Sequence, residues 1–196
     1  MRKFVAAISL LSLLAAPTAY AAGPAGLAKE LKKAPNVRYI VEKRQVMGPF
    51  AFATFCARKP SECRPNSGTG VVALDSSRDR QLRDVNARVN REISPKDEPM
   101  NASFDVWDVN VAEGDCEDFA LTKRNRLIAM GWPSRSLRIA VAKTAWGEGH
   151  AVLVVKTDRG DLVLDNRTNV IKDWRSAGLS WTMIQSANNP RNWHNL

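Results

Sequence analysis

Histidine is nearly missing: 196 residues hold two, beside three cysteines and two tyrosines. Imidazole chemistry is therefore confined to His150 or His194. Nothing in the chain reaches the ~20 consecutive apolar residues that span a bilayer. The longest run, Phe4 to Ala16, is interrupted only by serine, follows the basic Met1-Arg2-Lys3 and ends at Pro17. With Ala19-Tyr20-Ala21 after it, this is the pattern of an export signal, residues 1–21, cleaved after Ala21. Stable membrane insertion is excluded by that reading, and a periplasmic or secreted location is expected. Internal repeats and low-complexity segments are also missing. Basic residues outnumber acidic ones, 29 to 20, and loss of Arg2 and Lys3 leaves a charge of +7. The basic residues are interleaved with acidic ones rather than clustered, which argues against nucleic acid as a partner.

What remains after cleavage, about 175 residues, is enough for one domain with a sizeable core. Residues 22–45 read as a basic, loosely held lead-in, and residues 46–196 as the functional domain. An exported chain pairs the thiols that can reach each other. Cys56 and Cys63 are seven apart across a proline-containing turn, so a local disulfide is expected. Cys116 is left as an odd thiol.

Apolar Leu82, Val85, Val89 and Ile93 recur at helical spacing within Ser76–Ile93, and Ser94-Pro95 ends that helix. A second helix begins at Cys116 after the Gly114-Asp115 turn, with Asp115 at its N-cap, and stops at Gly131 after Met130. Three strands rich in valine, leucine and isoleucine follow, over 137–142, 150–155 and 161–165, the last two joined by a turn at 156–160. The tail from Asn188 to Leu196 is polar and expected to be disordered. Little regular structure is legible between Val37 and Gly68.

Cys116 at a helix start meets free backbone amides that favour the thiolate, and such thiols have pKa values of about 3.5–7.5. The carboxylates of Asp115, Glu117 and Asp118 oppose this, so a reactive thiol needs a cationic partner. His194 falls in the tail, which leaves His150, at the start of a strand after Gly147-Glu148-Gly149. Folding the hairpin brings Asp165 level with His150 or one diagonal pair away, where a carboxylate could orient the imidazole. Each residue has an inert explanation, as a buried cysteine, a satisfied histidine and a turn-forming Asp-Asn pair. Together they describe a Cys-His-Asp site.

The segments Gly114-Asp115-Cys116-Glu117-Asp118-Phe119-Ala120, Gly149-His150-Ala151-Val152-Leu153 and Leu164-Asp165-Asn166 resemble the bacterial transglutaminase-like cysteine proteinases. The resemblance extends to the helix around Asp84–Asn90 and to Phe55-Cys56, covering roughly 50–186. It implies an α+β fold with a papain-like or transglutaminase-like core, the nucleophile helix packed on an antiparallel sheet. It carries the triad onto Cys116, His150 and Asp165. The best-known members are LapG-type periplasmic proteases that release large surface adhesins under control of a membrane receptor responding to cyclic di-GMP. A protein substrate and a membrane-bound regulatory receptor are thus the implied partners. The chemistry itself requires no cofactor, but those members use calcium, which here implies Asp115 and Glu117 as ligands. Placement at a helix start accounts for the same two acids without a metal.

In that enzyme, His150 would take the proton of Cys116, the thiolate would attack a peptide carbonyl, and the Cys116 amide with a second donor, Asn90 or Trp107, would hold the oxyanion. Transamidation, which shares the acyl-enzyme, and a non-catalytic exported binding module of the same fold are the alternatives.

Overall fold

The computed structural model describes residues 38–96 and 105–196. Residues 1–21, read from the sequence as an export signal, residues 22–37 of the expected lead-in and residues 97–104, including Pro99, lie outside the described residues. The elements are β1 (Gln45–Val46), α1 (Phe50–Arg58), α2 (Ser76–Glu92), β2 (Ser94–Pro95), β3 (Glu113–Gly114) and α3 (Cys116–Ala129), then β4 (Leu137–Lys143), β5 (Gly149–Thr157), β6 (Gly160–Leu164), β7 (Lys172–Asp173), β8 (Ser180–Gln185) and β9 (Trp193–Asn195). Seven strands form one antiparallel sheet in the order β1-β9-β8-β4-β5-β6-β7, and β2 pairs with β3 separately. This is the expected α+β arrangement, a helix on an antiparallel sheet.

Alternation along the strands sorts the sheet into two faces. Leu137, Ile139, Ala151, Leu153, Val155 and Leu164 join the larger core, which contains Phe119, Ala120, Leu121 and Leu127 of α3 and Leu82, Val85 and Val89 of α2. Ala140, Val152, Val154, Val163 and Ile184 form a smaller core on the other face with Ile40 and Ala177. The segment Arg38–Arg44 is anchored there: Ile40 is buried, its N–H donates to Asp161 Oδ2 (2.7 Å), and Glu42 pairs with the buried Arg138 (2.6 Å).

Both helices seen in the sequence form at the expected places. Asp75 caps α2 by accepting from the Arg78 N–H (2.8 Å). Gly131, at φ +85°, ends α3 in the left-handed region that favours glycine. The β5–β6 hairpin is tighter than expected, with Thr157 already paired to Gly160.

Two stretches differ from the sequence reading. Residues 50–58 form α1, whose Phe52 and Phe55 are buried and whose Cys56 is bridged to Cys63 as expected. The tail is not disordered, because β9 pairs with both β1 and β8 and Trp193 is buried. Its indole packs edge-on against Phe52, centroids 5.4 Å apart, and lies so close to Gly48 that a Cβ there would clash with the ring. Burial of one large aromatic outweighs the polarity of its neighbours.

Candidate active site

Cys116 opens α3 with Asp115 at the N-cap, but the Asp115 side chain makes no capping hydrogen bond. Asp118, three residues on, does the capping instead. Its carboxylate accepts from the N–H of Asp108 (2.6 Å) and from that of Asp115. It also fills the space a side chain at Gly114 would need, which explains the glycine of the Gly-Asp-Cys segment.

β5 begins beside the sulfur. The N–H of Ala151 donates to Cys116 Sγ (3.2 Å), so the residue following His150 fixes the thiol against the end of the strand. β6 stops at Leu164, and the register Leu153 to Leu164 puts Asp165 diagonal to His150 on the same face. The two side chains meet there, His150 Nε2 lying 2.9 Å from Asp165 Oδ1 with both residues buried. Burial acts to raise the Asp165 pKa, but hydrogen bonds from His150, from the Arg167 guanidinium and from the Arg167 N–H, with the charge of His150, together hold the carboxyl well below the usual range. An ionised Asp165 can only accept, so Nε2 carries the proton and Nδ1 is the basic nitrogen.

The thiol departs from the sequence expectation. Burial first, and then the charge of Glu117, push the Cys116 pKa up rather than down; the Ala151 N–H offsets only part of this, and Asp115 adds to it. The thiol donates to Glu117 Oε2 (3.2 Å). Helix amides alone do not win against a buried position ringed by carboxylates.

Those carboxylates form a set larger than the sequence suggested. Asp105, Asp115 and Glu117 each offer an oxygen, and the three lie within 4.8 Å of one another. Glu117 Oε1 and Asp105 Oδ1 are buried with no hydrogen-bond partner. Burial and the two neighbouring acids push the Glu117 pKa up to about 10. A buried acceptor left unsatisfied costs about 1–3 kcal/mol. Hard oxygens that converge in this way, with Glu117 Oε1 and Asp105 Oδ1 lacking a donor, fit a divalent cation such as calcium. Asp105 lies in a loop eleven residues before Cys116, where no periodicity marks it.

The two residues suggested as a second oxyanion donor are engaged elsewhere. Asn90 Nδ2 donates to the carbonyls of Asp165 (3.1 Å) and Thr168 (3.2 Å) and to Asn169 Oδ1 (3.0 Å), tying the loop after β6 to α2. Trp107 is a core residue whose Nε1 donates to Asp105 Oδ2 (3.1 Å). His194 lies in β9, with Nδ1 3.1 Å from the Lys43 carbonyl. Two basic residues escaped the sequence reading. Arg167 grips Asp165, a contact that the Asp-Asn-Arg order could have signalled as an Asx turn. Lys123 on α3 is fully buried with no hydrogen bond to Nζ, and burial pushes its pKa down to about 7 although Asp165 favours its charged form.

Residues 42–196 match the bacterial transglutaminase-like cysteine proteinases (BTLCP). Among solved structures the chain is similar to Legionella pneumophila LapG, with 27% identity, a TM-score of 0.52, and coverage of 74% of this chain and 76% of that one. The EGTA-treated form of LapG matches with 26% identity, TM-score 0.53 and the same coverage. Its calcium-bound form matches with 26% identity and TM-score 0.50, over 72% of this chain and 78% of that one. No curated protein matches.

Proposed function

Because this chain belongs to the bacterial transglutaminase-like cysteine proteinases and so is a cysteine peptidase, we propose that it is exported and hydrolyses peptide bonds of a periplasmic or surface protein with a Cys116-His150-Asp165 triad. The observation that carries this reading is the chain of contacts through β5: Asp165 Oδ1 to His150 Nε2 at 2.9 Å, with Cys116 Sγ 3.2 Å from the next residue's N–H. Asp165 keeps the imidazole in the tautomer whose Nδ1 accepts the thiol proton. The sulfur attacks the scissile carbonyl, and the oxyanion forms near the free amides at the start of α3. The imidazolium then protonates the leaving amine, and water, deprotonated by His150, releases the acyl group.

Calcium belongs to the proposal, with Asp105, Asp115 and Glu117 as ligands. A bound divalent cation would supply positive charge beside a thiol that burial and carboxylates otherwise keep protonated. The calcium-bound and EGTA-treated forms of LapG support this choice of ion. A large surface adhesin as substrate and a membrane-bound receptor as regulator complete the reading, by likeness to the LapG type.

The test is peptide hydrolysis by the wild type and by Cys116→Ala, in calcium, with and without a primary amine. New amino termini from the wild type alone support the peptidase. Incorporation of the amine in place of water would make the enzyme a transamidase. Equal turnover by Cys116→Ala would remove Cys116 from the chemistry.

A further inference from the structure

We propose that Arg167 is a positioning residue, whose guanidinium and backbone N–H together fix the rotation of the Asp165 carboxylate so that Oδ1 faces His150. This rests on the triad reading above. The contacts divide between the two oxygens. Oδ1 accepts from His150 Nε2 (2.9 Å), from the Arg167 N–H (2.9 Å) and from Arg167 Nε (3.2 Å). Oδ2 accepts from Arg167 Nε (3.1 Å) and Nη2 (2.7 Å).

The torsion that turns a carboxylate about its Cβ–Cγ bond is broad and soft, so packing alone does not aim an aspartate's oxygens. A guanidinium presents its N–H groups in a rigid plane, and gripping both oxygens sets that torsion. Asn90 restrains the same residue's main chain by donating to the Asp165 carbonyl (3.1 Å). The carboxylate is thus held at its backbone from α2 and at its head by Arg167. Other titratable groups facing it are His150 on β5 and Lys123 on α3, whose Nζ is buried without a hydrogen bond.

Position suits Arg167 to this task. Its side chain is 41% exposed where that of Asp165 is 6%, so it covers a buried acid from the solvent side. Beyond it lies a cleft of about 310 Å³ that Trp146, Val170 and Lys172 also line. A half-exposed arginine on a loop can be replaced without emptying the core, which keeps a loss of function separable from a loss of fold.

The experiment uses the calcium-loaded protein with ¹⁵N-labelled histidine, reading the His150 tautomer from long-range ¹H–¹⁵N correlations and the rate of Cys116 labelling by iodoacetamide at neutral pH. In the wild type the neutral ring should carry its proton on Nε2. Arg167→Gln should populate the Nδ1–H form and slow labelling by about tenfold or more, the scale of lost outer-shell contacts. Arg167→Lys keeps the charge but not the fork, and should stay closer to Arg167→Gln than to wild type. An Arg167→Gln protein with the wild-type tautomer and labelling rate would overturn the proposal, as would full rescue by lysine. A wild-type ring protonated on Nδ1 would instead refute the triad reading beneath it.

Discussion

The Cys116 thiol donates to Oε2 of Glu117 across 3.2 Å, so the proposed nucleophile shares its proton with one of three converging carboxylates. Calorimetry should therefore detect calcium binding to the wild type, and Glu117→Gln or Asp105→Asn should weaken it at least tenfold. Asp105 is the more telling of the two, since it precedes Cys116 by eleven residues in the sequence and placement at a helix start does not account for it. Unchanged affinity in Asp105→Asn would remove it from the ligand set.

A second prediction concerns pH and the metal-free fold. The Glu117 pKa is raised by burial and its acidic neighbours to about 10, from 4.5 for the free side chain. Between pH 5 and 7 the folded protein keeps a proton that the unfolded chain has released. Stability then falls as pH rises, because the folded state binds more protons. Asp118, raised by burial to about 7, acts in the same direction. Melting temperatures in EGTA should decline from pH 5 to 7, and Glu117→Gln should decline less. Equal slopes would mean that Glu117 ionises freely in the folded state.

Asp165 works with the opposite sign. Its folded pKa is depressed, so its contribution is present above the unfolded value near 3.9 and is lost as pH falls toward the folded one. Asp165→Asn should therefore be less sensitive to acid below pH 4 than the wild type. The same change should lower peptide hydrolysis by about 10⁴, the size found when a triad aspartate loses its charge. A folded Asp165→Asn with near-normal turnover would return Asp165 to a turn-forming role.

Sequence pattern made the centre of the fold legible. The stripe Leu82, Val85, Val89 and Ile93, the Gly131 stop and the apolar runs of β4, β5 and β6 each carry a local signal, and the hairpin followed from those strands. What stayed hidden depends on contacts distant in sequence. Trp193 of β9 packs against Phe52 of α1 and against Gly48, over 140 residues away, and no pattern in a polar tail announces that. Residues 50–58 lack a capping side chain, as Pro49 offers none.

The site divides the same way. Cys116, His150 and Asp165 stood out by residue type and by position at element ends. The direction of the thiol's shift did not, because it depends on how deeply the sulfur is buried and on how closely Glu117 and Asp115 approach it in three dimensions. Arg167 escaped because its partner is two residues away in a loop, where arginine is ordinarily solvated.

The central claim is that His150 activates Cys116, and its most direct test is iodoacetamide labelling of Cys116 from pH 5 to 9 in calcium, for the wild type and His150→Ala. The wild type should label readily at neutral pH and the variant about tenfold or more slowly, because it has no imidazole to take the thiol proton. Labelling of both proteins only at alkaline pH, with superimposable profiles, would contradict it.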